Sequence, residues 1–398
     1  MSIQIARLGD VAETTSGGTP QRGVARFYGG GIPWVKSGEL PDGLIIGTEE
    51  SITEEGLANS STKLLPSGTL LIAMYGATVG KLGILGMPAT TNQAVCAITP
   101  RDELDRDYLF HWLLKIRSSL VEASFGGAQP NISQAFVRDI ELPLPELDEQ
   151  RRIAARLKAQ LAAVEEARQA AQAQAKEVEA LTRRIHEQSL EALEDAQRVT
   201  LGELLLGIEA GKSFQTSERL AGEHELGVLK VSAVSWTEFR ADQAKAIDGN
   251  YIPDDRHFVR QGDLLISRAN TVELVGAVAK VERDYPNRLL SDKTLRLVLD
   301  ESRIHPDYLI QVLRMPEARE HIEGNATGTS DSMRNISQGT LRAIPVPFPP
   351  MVEQVRIATR LSEADAASKL LRQAIQAQLR EIELLPARLL AQAFENPV

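Results

Sequence analysis

The sequence predicts an α+β protein written twice: two tandemly duplicated α/β domains with two long helices that pair as an antiparallel coiled coil. Three observations lead there. The chain carries an internal repeat. Strand-like runs rich in Val, Ile, Thr and Leu fill residues 30–100 and again 225–300. Residues 148–196 and 351–393 are dominated by Ala, Glu, Gln, Arg and Leu, all strong helix formers.

The repeat decides the architecture. "NISQAFVRDIELPLPELDEQRRIAARL" (Asn131–Leu157) matches "NISQGTLRAIPVPFPPMVEQVRIATRL" (Asn335–Leu361) without a gap at an offset of 204 residues. In the same order, Arg7–Pro20 answers to Thr200–Phe214, Ile32–Leu40 to Gly227–Ser235, Leu64–Leu85 to Phe258–Val281, and Arg106–Leu114 to Pro306–Arg314. The chain therefore divides into a first domain (1–147), a central helical spacer (148–198), a second domain (199–350) and a C-terminal helical spacer (351–398).

"YGATVGKLG" (Tyr75–Gly83) looks at first like a phosphate-binding loop. Its spacing excludes one: three residues separate Gly76 from Gly80, and Leu82 stands where a magnesium-binding hydroxyl belongs. The second copy reads "ANTVELVG" and lacks the Gly-Lys pair. In both copies an apolar strand enters a polar turn and leaves as a second strand, so the glycines serve a hairpin. The turn presents Tyr75, Thr78 and Lys81 in one half, and Arg268, Asn270 and Thr271 in the other.

Short helices are predicted at 105–123 and 306–323, the second entered through Pro306 in its first turn. "ELPLPEL" and "IPVPFPP" are extended, proline-bounded connections. In the long helices Leu157, Val164, Ala171, Val178 and Ile185 form one heptad row, with Ala167 and Leu181 on a second. Their counterparts are Leu361, Ser368, Ile375, Ile382 and Leu389, with Leu371 and Leu385. About 48 helical residues at 1.5 Å each span roughly 70 Å. Pro386 is expected to kink or interrupt the second helix.

The 398 residues carry a formal net charge of −10. Residues 1–148 hold −6 and residues 199–350 hold −4, whereas the two helical segments are neutral. No block is basic, so nucleic-acid binding requires a local cationic face or a charged partner. The sequence shows no membrane-spanning run and no apolar signal region, so a soluble, cytoplasmic protein is expected. Cys96, the only cysteine, lies in an apolar run and reads as a buried structural thiol. The six histidines show no metal-ligand spacing. "ENPV" at the C-terminus does not match the Asn-Pro-Pro-Tyr-like loop of adenine methyltransferases, and no catalytic constellation emerges.

The twice-repeated junction, a proline-rich exit followed by Glu-Gln-x-x-Ile-Ala, together with "LLPARLLAQAF" (Leu384–Phe394), closely resembles the specificity subunit of Type I restriction–modification systems. The resemblance covers essentially the whole chain. It implies a non-catalytic DNA-binding subunit whose two target-recognition domains each read one half of a split, asymmetric double-stranded target. The helices would set the gap and dock two methylation subunits, which use S-adenosylmethionine. Restriction subunits using ATP and Mg would join the same assembly. The chain itself would bind no cofactor. A duplicated coiled-coil adaptor that binds protein is the alternative, supported by the negative charge; an adenine methyltransferase is a weaker one.

Candidate DNA-binding residues follow from the polar loops, since groove readout needs hydrogen-bonding forks. In the first half they are Lys36, Ser37, Tyr75, Thr78, Lys81, Asn92 and Gln93, with "TTNQ" (Thr90–Gln93) read as an exposed loop or an ordinary turn. In the second they are Lys230, Ser232, Ser235, Arg268, Asn270, Asp292 and Lys293. Ser133, Arg334 and Ser337, in Gly/Ser/Asn-rich segments (Phe125–Ser133 and Gly324–Ser337), are candidate phosphate contacts, while Asn131 and Asn335 read as turn-forming residues. Glu149, Gln150, Arg152, Glu353, Gln354 and Arg356 begin the long helices. The resemblance places them near the methylation-subunit interface, and helix capping is their simpler role.

Overall fold

A computed structural model describes residues 4–124, 131–236, 238–247, 252–330 and 333–395. The chain forms two compact units, Met1–Ala173 with Ile375–Val398, and Gln174–Ala374. Each unit contains one α/β domain, the start of one long helix and the end of the other.

In the first unit a five-stranded sheet runs in the order Ala12–Ser16, Val95–Pro100, Leu70–Ala73, Leu82–Leu85, Gly43–Ile45, antiparallel except at the last junction. Its central strand is buried on both faces, which is why "LLIA" is a continuous apolar run. Leu70 and Ile72 face the helix layer with Leu109 and Leu113, whereas Leu71 and Ala73 face Val35, Leu85 and Val95. In the second unit Leu205–Ala210, Thr294–Leu299, Leu264–Ser267 and Val278–Lys280 form the matching antiparallel sheet. Leu264 and Ile266 again point one way and Leu265 the other. A second sheet in each unit repeats one parallel pairing, Tyr28–Val35 with Thr90–Thr91 and Gly227–Leu229 with Tyr285–Leu289.

The predicted short helices form at Arg106–Lys115 and Arg117–Ser124, and at Pro306–Arg314 and Pro316–Asn325, with Pro306 in the first turn. The proline-bounded connections are strands. Glu141–Leu144 pairs with Gln4–Arg7, and Pro345–Pro347 with Arg198–Thr200, so each domain enters and leaves at one place. Tyr108 and Tyr308 each donate 2.8 Å hydrogen bonds to the exit strand, at the carbonyls of Pro143 and Pro347.

The long helices run from Leu147 to Glu191 and from Met351 to Glu395. They pair antiparallel in both units. In the first, Leu390 and Ala393 share a core with Leu157, and the Phe394 ring lies 5.3 Å from that of Tyr108. In the second, Ile185 and Leu190 pack with Ile357, Ala358 and Leu361, and His186 Nε2 lies 2.9 Å from Asp365 Oδ1.

Two expectations for these helices are corrected. The second row of the seam lies four residues after the first, through Ala154, Leu161, Ala175 and Ser189, not three; Ala167, Leu181 and Leu371 are exposed. Apart from Leu161, that row is filled by small and polar side chains, which gave little hydrophobic signal. Pro386 does not interrupt the second helix. It stands only nine residues before that helix's last residue, where one lost backbone bond leaves most of the helix untouched.

The two helix–domain junctions also differ in chemistry. By the repeat offsets, Leu114, Leu161 and Leu390 of the first unit correspond to Arg314, Asp365 and His186 of the second. Asp365 there bridges His186 and, at 3.8 Å, Arg314, whose guanidinium donates to the Trp236 carbonyl.

Candidate nucleic-acid interface

One edge of the main sheet gathers the loops of each unit. In the first, Ser16 stands opposite Cys96 and Ala73 opposite Val95, so three strands end or begin together. Backbone hydrogen bonds tie the loops leaving that edge: Gly18 N–H to Thr91 O and Asn92 N–H to Val35 O, both 2.9 Å, and Met74 N–H to Ala94 O, 2.8 Å. Ile132 N–H donates to Met74 O at 2.9 Å, which brings the Asn-Ile-Ser segment beside the hairpin turn. Tyr75 and Asn131 form an isolated bridge there. Gln134 fastens the last corner, accepting from the Ser16 hydroxyl and donating to Thr14 O, both 2.9 Å.

The second unit repeats this junction. Ala210 stands opposite Leu295 and Ser267 opposite Thr294. Arg268 N–H donates to Lys293 O (2.8 Å), and Ile336 N–H to Arg268 O (2.9 Å). Lys212 bridges to Ser291, and Ala269–Asn270 pairs with Arg334–Asn335. Gly17 and Gly211 hold equivalent places because a β-carbon there would strike the backbone carbonyls of Asn92 and Leu290. Gly80 and Gly276 close the two hairpins with φ of 78° and 79°, in the left-handed region that favours glycine. The hairpin reading of "YGATVGKLG" therefore holds.

Residues 2–174 and 301–381 match the family model for the Type I restriction modification DNA specificity domain. The chain belongs to that family. It is 28% identical to the EcoEI specificity subunit of Escherichia coli over 46% of this chain and 32% of that one. It is 22% identical to the EcoKI specificity subunit of E. coli K12 over 92% of this chain and 82% of the other. The matches to the EcoEI and EcoR124I/EcoR124II subunits span only 32% and 39% of those proteins. The crystal structure of the HsdS subunit from Thermoanaerobacter tengcongensis shares the fold over 99% of this chain and 97% of that one, with a TM-score of 0.66 at 20% identity. A chain from a structure of the type I R-M system, described for complex assembly and conformational transition, does so with a TM-score of 0.67, 20% identity and complete coverage of both.

At this edge lie Tyr75, Thr78, Lys81, Asn92, Gln93 and Ser133 in the first specificity domain and Arg268, Asn270, Asp292, Lys293 and Arg334 in the second, whereas Lys36, Ser37, Lys230 and Ser232 follow the parallel strand of the second sheet. Several have internal duties that the sequence did not reveal. Lys36 lies 2.8 Å from Glu49 and 3.1 Å from Glu50, and hydrogen bonds to those carboxylates hold its pKa above the usual lysine value. Thr78 donates to Tyr75 O at 2.9 Å, closing the turn. Ser133 and Ser337 cap short helices, accepting from Phe136 N–H (3.0 Å) and Thr340 N–H (2.9 Å). Ser232 donates to Gln243 (3.2 Å), and Ser235 to Glu238 O (3.1 Å). In "TTNQ", Thr90 and Thr91 are buried in a strand, so the exposed loop is only Asn92 and Gln93. The parts of the Gly/Ser/Asn-rich segments at Phe125–Pro130 and Asp331–Ser332 lie outside the described residues.

The helix-start assignment needs correction at two residues. Gln150 and Gln354 are completely buried and cannot meet a partner. Gln150 Oε1 accepts from Asp105 N–H (2.8 Å), and its Nε2 donates to Glu103 O (2.9 Å) and Pro145 O (2.8 Å). Gln354 repeats this with His305 N–H (2.9 Å), Arg303 O (3.1 Å) and Pro349 O (3.0 Å). Glu149 pairs with Arg152, and Glu353 with Arg356, each within the first turn.

Sequence reasoning missed Gly17, Gly18, Gln134 and Lys212 as parts of the junction. A signal existed, because "SGG" and "AGK" occupy equivalent places in the repeat. Cys96 is fully buried and its thiol is pushed up to about 12 by burial, so it is an inert packing group. Among the described residues no helix is long and apolar enough to cross a membrane.

Proposed function

We propose that this chain is the DNA-recognition subunit of a Type I restriction–modification assembly, each specificity domain reading one half of a split, asymmetric duplex target. The observation that carries this reading is the duplicated strand-end junction. One backbone frame appears twice, with Tyr75, Asn92 and Gln93 around it in one copy and Arg268, Asp292 and Lys293 in the other. Two such readers with different side chains suit two different half-sites. Arg and Lys forks match guanine, Asn and Gln match adenine, and a carboxylate accepts from cytosine. The hydrogen-bonded frame fixes the backbone that carries those side chains, so that binding does not have to order the loops.

The paired helices would set the gap between half-sites and dock two methylation subunits. Those partners would supply S-adenosylmethionine for adenine methylation, and restriction subunits with ATP and Mg would join them. This chain would contribute no catalytic group. Its acidity predicts weak DNA affinity alone and strong affinity in the assembly. The test is to co-express the chain with its methylation subunit and map adenine methylation across a host genome by single-molecule sequencing. A single split motif is expected, with one half changing when residues 1–148 are exchanged and the other when 199–350 are exchanged. Methylation without a split motif, or no change after either exchange, would refute the proposal.

A further inference from the structure

The two junctions repeat each other in backbone but not in charge. Shared hydrogen bonds fix the equivalences: Met74 N–H to Ala94 O answers to Arg268 N–H to Lys293 O. Gly18, after Gly17, answers to Lys212, after Gly211. Lys36 answers to Lys230, each opening a turn closed by a 3.0 Å bond from Glu39 N–H or Ala233 N–H. In the first unit these four positions are electrostatically silent. Met74 and Ala94 are buried, and Lys36 is neutralised by Glu49 and Glu50. Gly18 has no room for a side chain, because its β-carbon would strike the Ser61 hydroxyl.

In the second unit the same four positions are Lys212, Lys230, Arg268 and Lys293. None has a side-chain hydrogen bond or ion pair among the described residues, and Lys212 and Lys293 are exposed. Asp292 is interspersed with them. Beside Arg268 sits Asn270, 9% exposed, whose Oδ1 accepts from Thr271 N–H at 2.9 Å while its Nδ2 has no partner among the described residues. A buried amide donor left unmet is unfavourable in isolation and favours a ligand that brings an acceptor. Four cations and an unmet donor call for an anionic, acceptor-rich ligand.

We propose that the second unit's junction is the phosphate grip of this protein. Lys212, Lys230, Arg268 and Lys293 neutralise backbone phosphates of duplex DNA, and Asn270 Nδ2 donates to an acceptor at the same contact. The first unit meets its half-site mostly with uncharged groups, Lys81 being its exposed cation at that edge, and adds less electrostatic affinity. This inference rests on the DNA-recognition reading above.

The experiment is a salt titration of binding to random-sequence duplex DNA, using the full chain co-purified with its methylation subunit. Each neutralised phosphate contributes about 0.9 to the slope of log affinity against log salt. Changing Lys212, Lys230, Arg268 and Lys293 together to Gln is expected to lower the slope by about 3 to 4, whereas Lys36→Gln with Lys81→Gln lowers it by about 1 at most. Lys212→Gln with Lys293→Gln, both at exposed positions, should remove about 2 and serves if the quadruple variant does not fold. An unchanged slope in the second-unit variants, or an equal loss per cation from the first unit, overturns the proposal. A wild-type complex that binds no duplex DNA overturns the recognition reading itself, and is distinguishable because no slope then exists to partition.

Discussion

Gln150 and Gln354 show what a buried polar side chain does when every hydrogen bond is met. Each joins a loop, a proline-bounded exit strand and the start of a long helix through three bonds to backbone atoms. Gln150→Ala would leave an N–H and two carbonyls unpaired in a buried site, costing about 1–3 kcal/mol for the unmet group with the largest penalty. We expect chemical denaturation to show that loss, with a similar loss for Gln354→Ala. Additive losses in the double variant are expected, since the two sites share no partners. The sequence displayed both glutamines in the repeated Glu-Gln pair, but not their direction. Helical position alone does not say which way the second residue of a turn points until a domain packs against it. Ser133 and Ser337 carry the same lesson, because a hydroxyl placed for a phosphate and one placed for a cap look alike in sequence.

The long helices test the phase of the seam. Leu181 and Leu371 are 51% and 52% exposed, so changing either to Gln should alter stability by no more than about 0.5 kcal/mol. Ile375→Ala, by contrast, should cost about 2–5 kcal/mol, because Ile375 is buried in the first row of the seam. Thermal or urea unfolding distinguishes the two. The second unit's polar junction should also respond to acid. Burial raises the Asp365 pKa, but the His186 hydrogen bond and the charges of His186, Arg314 and Arg372 outweigh it, leaving the carboxyl below its ordinary value. A depressed folded-state pKa gives stability that is present above the unfolded value of about 3.9 and lost as pH falls through the folded value. Melting curves from pH 7 downward should therefore hold and then decline below about pH 4, and Asp365→Leu should flatten that decline. The first unit, with leucines at the three corresponding positions, has no counterpart of this acid response.

At the scale of the whole chain, the first unit is completed by the last residues of the sequence. Leu390 and Ala393 belong to its core, and Phe394 packs against Tyr108 and, with ring centres 5.1 Å apart, Trp112. Deleting residues 375–398 should therefore destabilise residues 1–173, although nearly the entire second half separates them in sequence. Hydrogen exchange should show lost protection first in the helix Arg106–Lys115. Loss confined to residues 174–374 would contradict the division of the chain. Leu390→Ala alone should cost about 2–5 kcal/mol.

The sequence by itself determined the duplication, the α+β class, both hairpins, the short helices and the antiparallel pairing of two long helices. Each of these rests on local periodicity or on similarity between the halves, which a linear chain displays directly. Only the tertiary structure decided which polar residues face outward. It turned Gln150 and Gln354 inward, paired Lys36 with two acidic residues, buried Thr90 and Thr91, and moved the second row of the seam onto residues that, Leu161 apart, are small or polar. It also gathered Lys212, Arg268 and Lys293, spread over some eighty residues, at one edge of one sheet, with Lys230 at the end of a strand in the second sheet. The physical reason is that strand pairing joins residues distant in sequence, and the direction of a side chain is fixed by what packs on either side of it.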